Sequence, residues 1–206
     1  PEQVARKLLR RNASDIAAMG GEPRSAILSL ALPSTLSISW LESFYRGLAA
    51  EAKTLNIQIS GGDTSATESY LGAFMTLVGV ASNRVLERGK ATLGSSLCVT
   101  GQLGGSRLGK HHSFKPRLAE GQWLASQPAV LSCMDLSDGL GKDCPALLGS
   151  GLAARLNASC IPISEAALQK SQQSGRSPID HAINDGEDYE LLFALDSSVD
   201  RQTFEA

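Results

Sequence analysis

In Ile59-Ser60-Gly61-Gly62-Asp63-Thr64 a short apolar strand, Ile57 to Ile59, runs through a serine into two glycines, an aspartate and a hydroxyl residue. Two glycines leave backbone N–H groups uncovered, so a phosphate can approach closely. The carboxylate after them cannot bind phosphate itself. It can hold Mg²⁺, which then bridges to phosphate oxygens. Taken alone, such a stretch reads as a tight turn after a strand. Its interest grows because Asp15, Asp135, Asp138, Glu187 and Asp188 also sit at strand ends or among apolar residues. Projected at about 100° per residue, Asp15 falls inside the stripe formed by Val4, Leu8 and Met19. A carboxylate on a buried helix face is costly unless it is paired or bound to a metal. Two partners are open to it: Arg11 at i−4, or a metal ion.

Two further stretches carry chemistry. In Ser132-Cys133-Met134-Asp135-Leu136-Ser137-Asp138-Gly139-Leu140 a strand enters and a helix leaves, with Asp135 and Asp138 bracketing Ser137 at the junction. Carboxylates there can cap the helix, but two of them with a serine and a glycine suit a metal–phosphate site. Asn184-Asp185-Gly186-Glu187-Asp188-Tyr189 precedes the apolar run Glu190 to Leu195. It is either an exposed acidic turn or, with Tyr189, a grip on a cationic aromatic molecule. Gly101-Gln102-Leu103-Gly104-Gly105-Ser106 is glycine-rich but matches neither nucleotide-binding fingerprint. His111-His112 reads as a polar surface turn. Arg88 is either a phosphate or base contact or a solvated linker residue.

The elements that must position these residues follow from periodicity. Residues 1–19 read as a helix closed by Gly20-Gly21, and Ala26 to Leu32 as a strand stopped by Pro33. Ser39-Trp40-Leu41-Glu42 reads as a capping box. It opens a helix with Leu41, Phe44, Leu48, Ala52 and Leu55 on one face. Tyr70 to Ala81 is a long apolar strand, buried on both faces or inside a dimer barrel. The turn-rich stretch from Ser82-Asn83-Arg84 to Lys90 divides the chain into domains at 1–83 and 84–206. In the second, strands are expected at Ser96–Thr100, Ala153–Leu156 and Glu190–Leu195. Helices are expected at Leu118–Ser126, Leu140–Leu148 and Glu165–Lys170, with a loop over Ser171–Ser177. The fold class is α+β, two α/β domains.

Composition narrows the function classes. The chain has 206 residues, 42% hydrophobic, with a net charge of −2. The basic residues are scattered, which speaks against nucleic acid, and no apolar run reaches the roughly 18 residues of a membrane span. Cys98, Cys133, Cys144 and Cys160 lack metal-ligand spacing and read as buried free thiols of a reducing cytoplasm. Many aspartates and no nucleophile beside a base suit direct in-line phosphoryl transfer, not a phospho-enzyme. The chain reads as beginning in mid-helix and ending abruptly at Phe204-Glu205-Ala206, a fragment lacking both termini.

In this order, Ser14–Pro23 (SDIAAMGGEP), Gly61–Thr64 (GGDT), Met134–Leu140 (MDLSDGL), Ser150–Pro162 and Gly186–Phe193 (GEDYELLF) resemble the thiamine-monophosphate kinase family. That family lies within the superfamily of aminoimidazole ribonucleotide synthetase, and the resemblance covers nearly the whole chain. It implies ATP-dependent phosphorylation of thiamine monophosphate to thiamine diphosphate with several Mg²⁺ ions. By motif match it implies metal ligands at Asp15, Asp63, Asp135 and Asp138. It implies ATP contacts at Gly62, Asp63, Arg88 and Ser137, and thiamine-phosphate contacts at Glu187 and Asp188. It also implies a homodimer formed through the first domain, around its long apolar strands. The family's N-terminal Gly-Asp-Asp motif, the aspartate-bearing strand after it and a C-terminal aromatic have no counterpart here. The segment 106–116 is short, and Asn184-Asp185 replaces a small residue and glycine. These departures imply a chain that is inactive or incomplete as it stands. The alternatives are another ATP-using enzyme of the superfamily, or a non-catalytic nucleotide-binding and dimerisation fragment.

Overall fold

The computed structural model describes residues 1–81, 83–199 and 204. Of the expected domain boundary, Ser82 lies outside the described residues, as do Glu205 and Ala206 at the chain end.

Helix α1 (Glu2–Ala18) buries Ala5, Leu9, Ala13, Ala17 and Ala18 with Ser14. The expected stripe of Val4, Leu8 and Met19 is displaced, because Val4 and Met19 are exposed. Apart from Leu9, the residues facing the protein are small, which lets neighbouring backbones come close. Asp15 is therefore exposed rather than buried on an apolar face. Gly20 ends the helix at φ +72°, and a Cβ there would lie 2.3 Å from that of Ala125, so both backbone and packing call for glycine.

Strand β1 (Gly21–Pro33) is longer than expected, because Pro23 falls at a bulge where its missing N–H costs no ladder bond. Helix α2 (Ile38–Thr54) is capped by Ser37, whose oxygen accepts from the Trp40 amide at 3.2 Å. The cap lies two residues before the expected Ser39. Phe44, Leu48 and Ala52 are buried as their spacing predicts. Strands β2 (Gln58–Thr67) and β3 (Gly72–Ala81) flank β1, β2 parallel and β3 antiparallel, in the order β2-β1-β3. Helices α1 and α2 cover one face of this sheet around Leu9, Leu28, Leu30, Phe44 and Leu48. The other face is open within the chain. Ile27, Phe74, Val78 and Val80 are each more than half exposed, so β3 is not buried on both faces by its own chain.

The second half holds β4 (Ser96–Val99), α3 (Lys110–Ser113), α4 (Leu118–Ser126), β5 (Val130–Asp135) and α5 (Leu140–Leu148). It continues with α6 (Glu165–Ser174), α7 (Pro178–Asn184) and β6 (Leu191–Leu195). The sheet is antiparallel in the order β4-β6-β5. Every residue of central β6 is buried, as a continuous apolar run requires. Four expectations fail here. Residues 153–156 form no strand, lacking a neighbour to pair with. His111 and His112 belong to α3 and pack on each other at 4.4 Å between ring centroids. Residues 171–174 extend α6, and Ser177 caps α7, a helix with too few apolar residues to announce itself. Of the cysteines, Cys133 and Cys144 are buried, while Cys160 is exposed, contrary to expectation.

The halves share a core through α1. Ala17 and Ala18 pack with Leu86, Leu124, Val130 and Leu191. The stretch expected to be a solvated linker is tied down along its length. Leu86 donates its amide to Met19, Glu87 accepts from the Cys133 amide, and Gly89 donates to Leu147. Arg84 bonds three backbone carbonyls of the 125–130 turn.

Candidate functional site

The C-terminal end of α1, the 86–88 segment, β5 and the start of α5 enclose an open cleft of about 740 Å³. Asp15, Arg88, Asp135, Ser137, Asp138 and Asp143 line it. Five of these stand out in the sequence, four from two motifs and Arg88 from the stretch between the domains; Asp143 does not.

Their environments differ. Asp135 is 7% exposed, and its pKa is pushed up to about 6 chiefly by burial. Asp15 and Asp143 push the same way, while the Ser14 hydroxyl, donating to Asp135 Oδ2 at 2.6 Å, opposes them. Asp15 sits at the cleft mouth. The protein around it raises its pKa, against the pull of Arg11 and Arg88. No ion pair joins Asp15 to Arg11 among the described residues, so the paired reading of Asp15 fails. Asp138 turns outward to Lys142 Nζ at 2.7 Å.

Neither Asp135 nor Asp138 caps α5. The residue before the helix is Gly139 at φ +105°, with no side-chain cap bond. The turn before the helix is held from inside it, where Asp143 Oδ2 accepts from Asp138 N at 2.9 Å and Gly139 N at 3.0 Å. These amides belong to the turn that leads into α5, so the carboxylate fixes that turn. The donor set is all oxygen and crowded enough for carboxylates to raise one another, which suits a hard divalent cation. Among the described residues no three His, Cys, Asp or Glu side chains gather into a ready cage. Such a set suits Mg²⁺, which takes one or two carboxylates and completes its shell with water and phosphate oxygens.

The acidic loop Gly186–Tyr189 is part of the same construction. Glu187 donates its amide to the Ser137 carbonyl at 2.8 Å, Tyr189 to that of Leu136 at 2.9 Å, and Leu136 to that of Glu190 at 2.8 Å. A Cβ on Gly186 would lie 2.9 Å from the Ser137 carbonyl oxygen. Glu187 and Tyr189 both adopt positive φ, 58° and 51°, uncommon for side-chain-bearing residues and a mark of functional loops. The Glu187 carboxylate accepts from Lys7 Nζ of α1 at 2.5 Å. Asp188 is 1% exposed. Its Oδ1 accepts from Gly104 N at 2.9 Å, while its Oδ2 is buried without a partner. Burial pushes its pKa up to about 7. It faces the interior and not a substrate surface. Tyr189 is buried too, stacked on Phe114 at 3.9 Å, which removes its ring from any substrate grip. Glu190 is gripped by Lys110, Arg117 and Thr100, which fixes the glycine-rich 101–105 loop against β6.

Asp63 and Gly62 lie elsewhere. The GGDT stretch is not a turn but part of β2, paired from Gly61 with Ile27 to Thr64 with Leu30. A Cβ on Gly62 would come within 1.9 Å of the Leu28 carbonyl, so strand pairing alone requires that glycine. Asp63 is exposed and accepts from the Thr64 amide at 2.8 Å. It lines a separate groove with Tyr45 and Leu28 that shares no residue with the cleft. Sequence reasoning missed Ser14, Lys7 and Asp143. The available signal was position: Lys7 lies two turns before Asp15 on one helix face, Ser14 beside it, and Asp143 in the first turn of the helix that DLSDGL opens.

The family model described as "AIR synthase related protein, N-terminal domain" matches residues 1–81. The thiamine-monophosphate kinase of Rhodopirellula baltica is 40% identical over 190 residues, covering 92% of this chain but 60% of its own length. That of Aquifex aeolicus is 32% identical over 212 residues, covering 94% of this chain and 69% of its own. The solved structure of AaThiL complexed with AMPPCP and TMP superposes with a TM-score of 0.88 at 30% identity, covering 96% of this chain and 70% of that one. Motif order, cleft and relatives agree, and the chain belongs to the thiamine-monophosphate kinase family of the AIR synthase superfamily.

Proposed function

We propose that the protein to which this chain belongs transfers the γ-phosphoryl group of ATP to the phosphate of thiamine monophosphate. The observation that carries the reading is the single cleft into which α1, the 86–88 segment and β5 bring Asp15, Arg88, Asp135, Ser137 and Asp138. The AaThiL structure, complexed with AMPPCP and TMP, supports the pairing of a nucleotide with a thiamine phosphate. The chain spans 60% of the length of its Rhodopirellula baltica relative, so the activity is assigned to the full-length protein.

Asp15, Asp135 and Asp138 would hold Mg²⁺, which when bound neutralises charge on the phosphates. Arg88 and Ser137 would contact the nucleotide. The chain's own part is alignment. Ser14 orients Asp135, Asp143 fixes the turn bearing Ser137 and Asp138, and Glu187 faces the acceptor. The hydroxyl bonded to a carboxylate there, Ser14 on Asp135, is fully buried and does not line the cleft, which favours direct in-line transfer. Asp63 and Gly62 line their own groove, so their metal and nucleotide roles belong to an assembly in which β2 is brought over the cleft of a second copy. A homodimer built on the open face of the first sheet supplies such an assembly. Residues 1–83 and 84–206 are taken as its two domains, and the free thiols of Cys133, Cys144 and Cys160 are in keeping with a cytoplasmic setting. The test is turnover by the full-length protein with Mg²⁺, ATP and thiamine monophosphate. Thiamine diphosphate is the expected product, and Asp135→Ala is expected to lower kcat/KM at least 100-fold, several kcal/mol in the transition state. No product from the wild type, or an undiminished variant, overturns the assignment.

A further inference from the structure

We propose that Lys142, in the first turn of α5, is a catalytic residue whose ammonium leaves Asp138 when a cation takes that carboxylate, and moves onto the phosphoryl group in transfer. The proposal rests on the kinase reading and adds a residue to which that reading gives no part.

Among the described residues that line the cleft, Arg88 and Lys142 are the cationic side chains, and carboxylates outnumber them. The two come from different elements, Arg88 from the 86–88 segment and Lys142 from α5. Lys142 Nζ lies 2.7 Å from Asp138 Oδ2, four residues away across the start of the helix. The pair is open to water, with the lysine side chain 73% exposed. Exposed pairs at this spacing are weak, so the ammonium can let go of Asp138 at little cost. The backbone beneath it is fixed. Asp143, the next residue, accepts from the Asp138 and Gly139 amides, and Leu140, Cys144 and Leu147 anchor α5 in the core. A mobile charge thus stands on a rigid base, with its tip in the cleft.

In the kinase reading Asp138 holds Mg²⁺. Once that carboxylate is shared with a divalent cation, its pull on the ammonium is spent and the cation repels it. A phosphate oxygen that shares the cation with Asp138 is then the anion within the sweep of the four-carbon lysine stem. Lysine suits this task better than arginine does. Its compact charge carries three donors that can turn with a moving group, whereas a guanidinium is a planar fork matched to a fixed pair of oxygens. Lys142 neither gives nor takes a proton. The bond from the γ-phosphorus to its bridging oxygen breaks, a bond to an oxygen of the acceptor phosphate forms, and the ammonium offsets charge on the phosphoryl oxygens between them.

The experiment compares full-length wild type with Lys142→Met and Lys142→Arg, by turnover of ATP and thiamine monophosphate and by calorimetry with Mg²⁺ alone. Lys142→Met is expected to lower kcat roughly 10-fold or more, the scale of a lost charge-assisted contact, with KM for thiamine monophosphate nearly kept. Lys142→Arg should recover part of the loss. Mg²⁺ alone should bind Lys142→Met at least as tightly as the wild type, because no ammonium competes for Asp138. The side chain is exposed, so the metal-free variants should melt with the wild type. An unchanged kcat in Lys142→Met, with the wild type active, overturns the proposal and leaves the kinase reading intact. Mg²⁺ affinity that falls by the same factor as kcat overturns it too, by showing that the lysine serves the metal and not the phosphoryl group. A wild type that does not phosphorylate thiamine monophosphate removes the kinase reading and the proposal together.

Discussion

Asp143 shows how one carboxylate can shape a site without pointing at a ligand. It accepts from two consecutive amides and so fixes the turn that carries Ser137 and Asp138. Asp143→Ala would leave both amides without a partner in a nearly closed environment, at a cost of about 1–3 kcal/mol. Asp143→Asn keeps an acceptor oxygen and should cost less. Thermal melting of the metal-free protein checks the order, wild type above Asn above Ala; equal melting temperatures would show that the turn holds itself. Ser14 does the parallel task for Asp135 from another helix. Neither residue was legible as functional. A serine inside a helix and an aspartate in a first turn are ordinary in sequence, and their roles depend on what tertiary packing brings opposite them. Asp135 and Asp138 were legible from their spacing around Ser137 at a strand–helix junction, and Asp15 from a helix stripe that the structure displaces.

At the scale of the element, the Gly186–Tyr189 loop and the 101–105 loop form one buried joint around Asp188. The Asp188 carboxyl has an ordinary pKa of 3.8 and is raised to about 7 by burial, with Glu190 and Asp185 adding to the shift and the Gly104 amide and Lys110 opposing it. The sign follows directly. Below about pH 4 both folded and unfolded chains carry the proton and nothing is lost. As pH rises through the window up to about 7, the unfolded chain releases its proton more readily, and the stability tied to this group falls. Asp188→Asn cannot ionise and keeps an acceptor for the Gly104 amide. Urea melts at pH 5 and pH 8 should show the variant gaining on the wild type at the higher pH by a few kcal/mol, at about 1.4 kcal/mol per pKa unit. Parallel pH profiles would mean that Asp188 is ionised throughout. Elements were most legible where periodicity was strong. The spans of α4 and α5 were read as they stand, and β6 nearly so. They were least legible where pairing across the chain decides. GGDT looked like a turn because two glycines usually are one, but β1 lies close enough that strand pairing itself requires Gly62.

At the scale of the whole molecule, α1 ties two sheets together while one face of the first sheet is left without a cover. Its buried face reaches the first sheet through Ala5 and Leu9, and the second core through Ala17 and Ala18. The outer face presents Ile27, Phe74, Val78 and Val80, with Tyr70 and Leu71 at its edge, all substantially exposed. β3 alternates along its length, so this face is as regular as the buried one and is more than a scatter of single apolar residues. A contiguous apolar sheet face of this kind would be stable in water if a second copy covered it, and the separate groove bearing Asp63 would give that second copy a function. The resulting expectation is that the full-length protein is a dimer and that Val78→Asp makes it a monomer. Val78 points away from the core of its own chain, so the substitution should leave the folded protomer intact while placing a charge in the middle of the interface. Sedimentation at micromolar concentration reads the assembly state, and circular dichroism reads the fold. If Val78→Asp sediments as the wild type does, the outer face of the first sheet is not the dimer contact. If the variant is a folded monomer that still phosphorylates thiamine monophosphate at the wild-type rate, the interface stands. Asp63 then loses its place in the site, because a complete cleft has been shown to need only one copy.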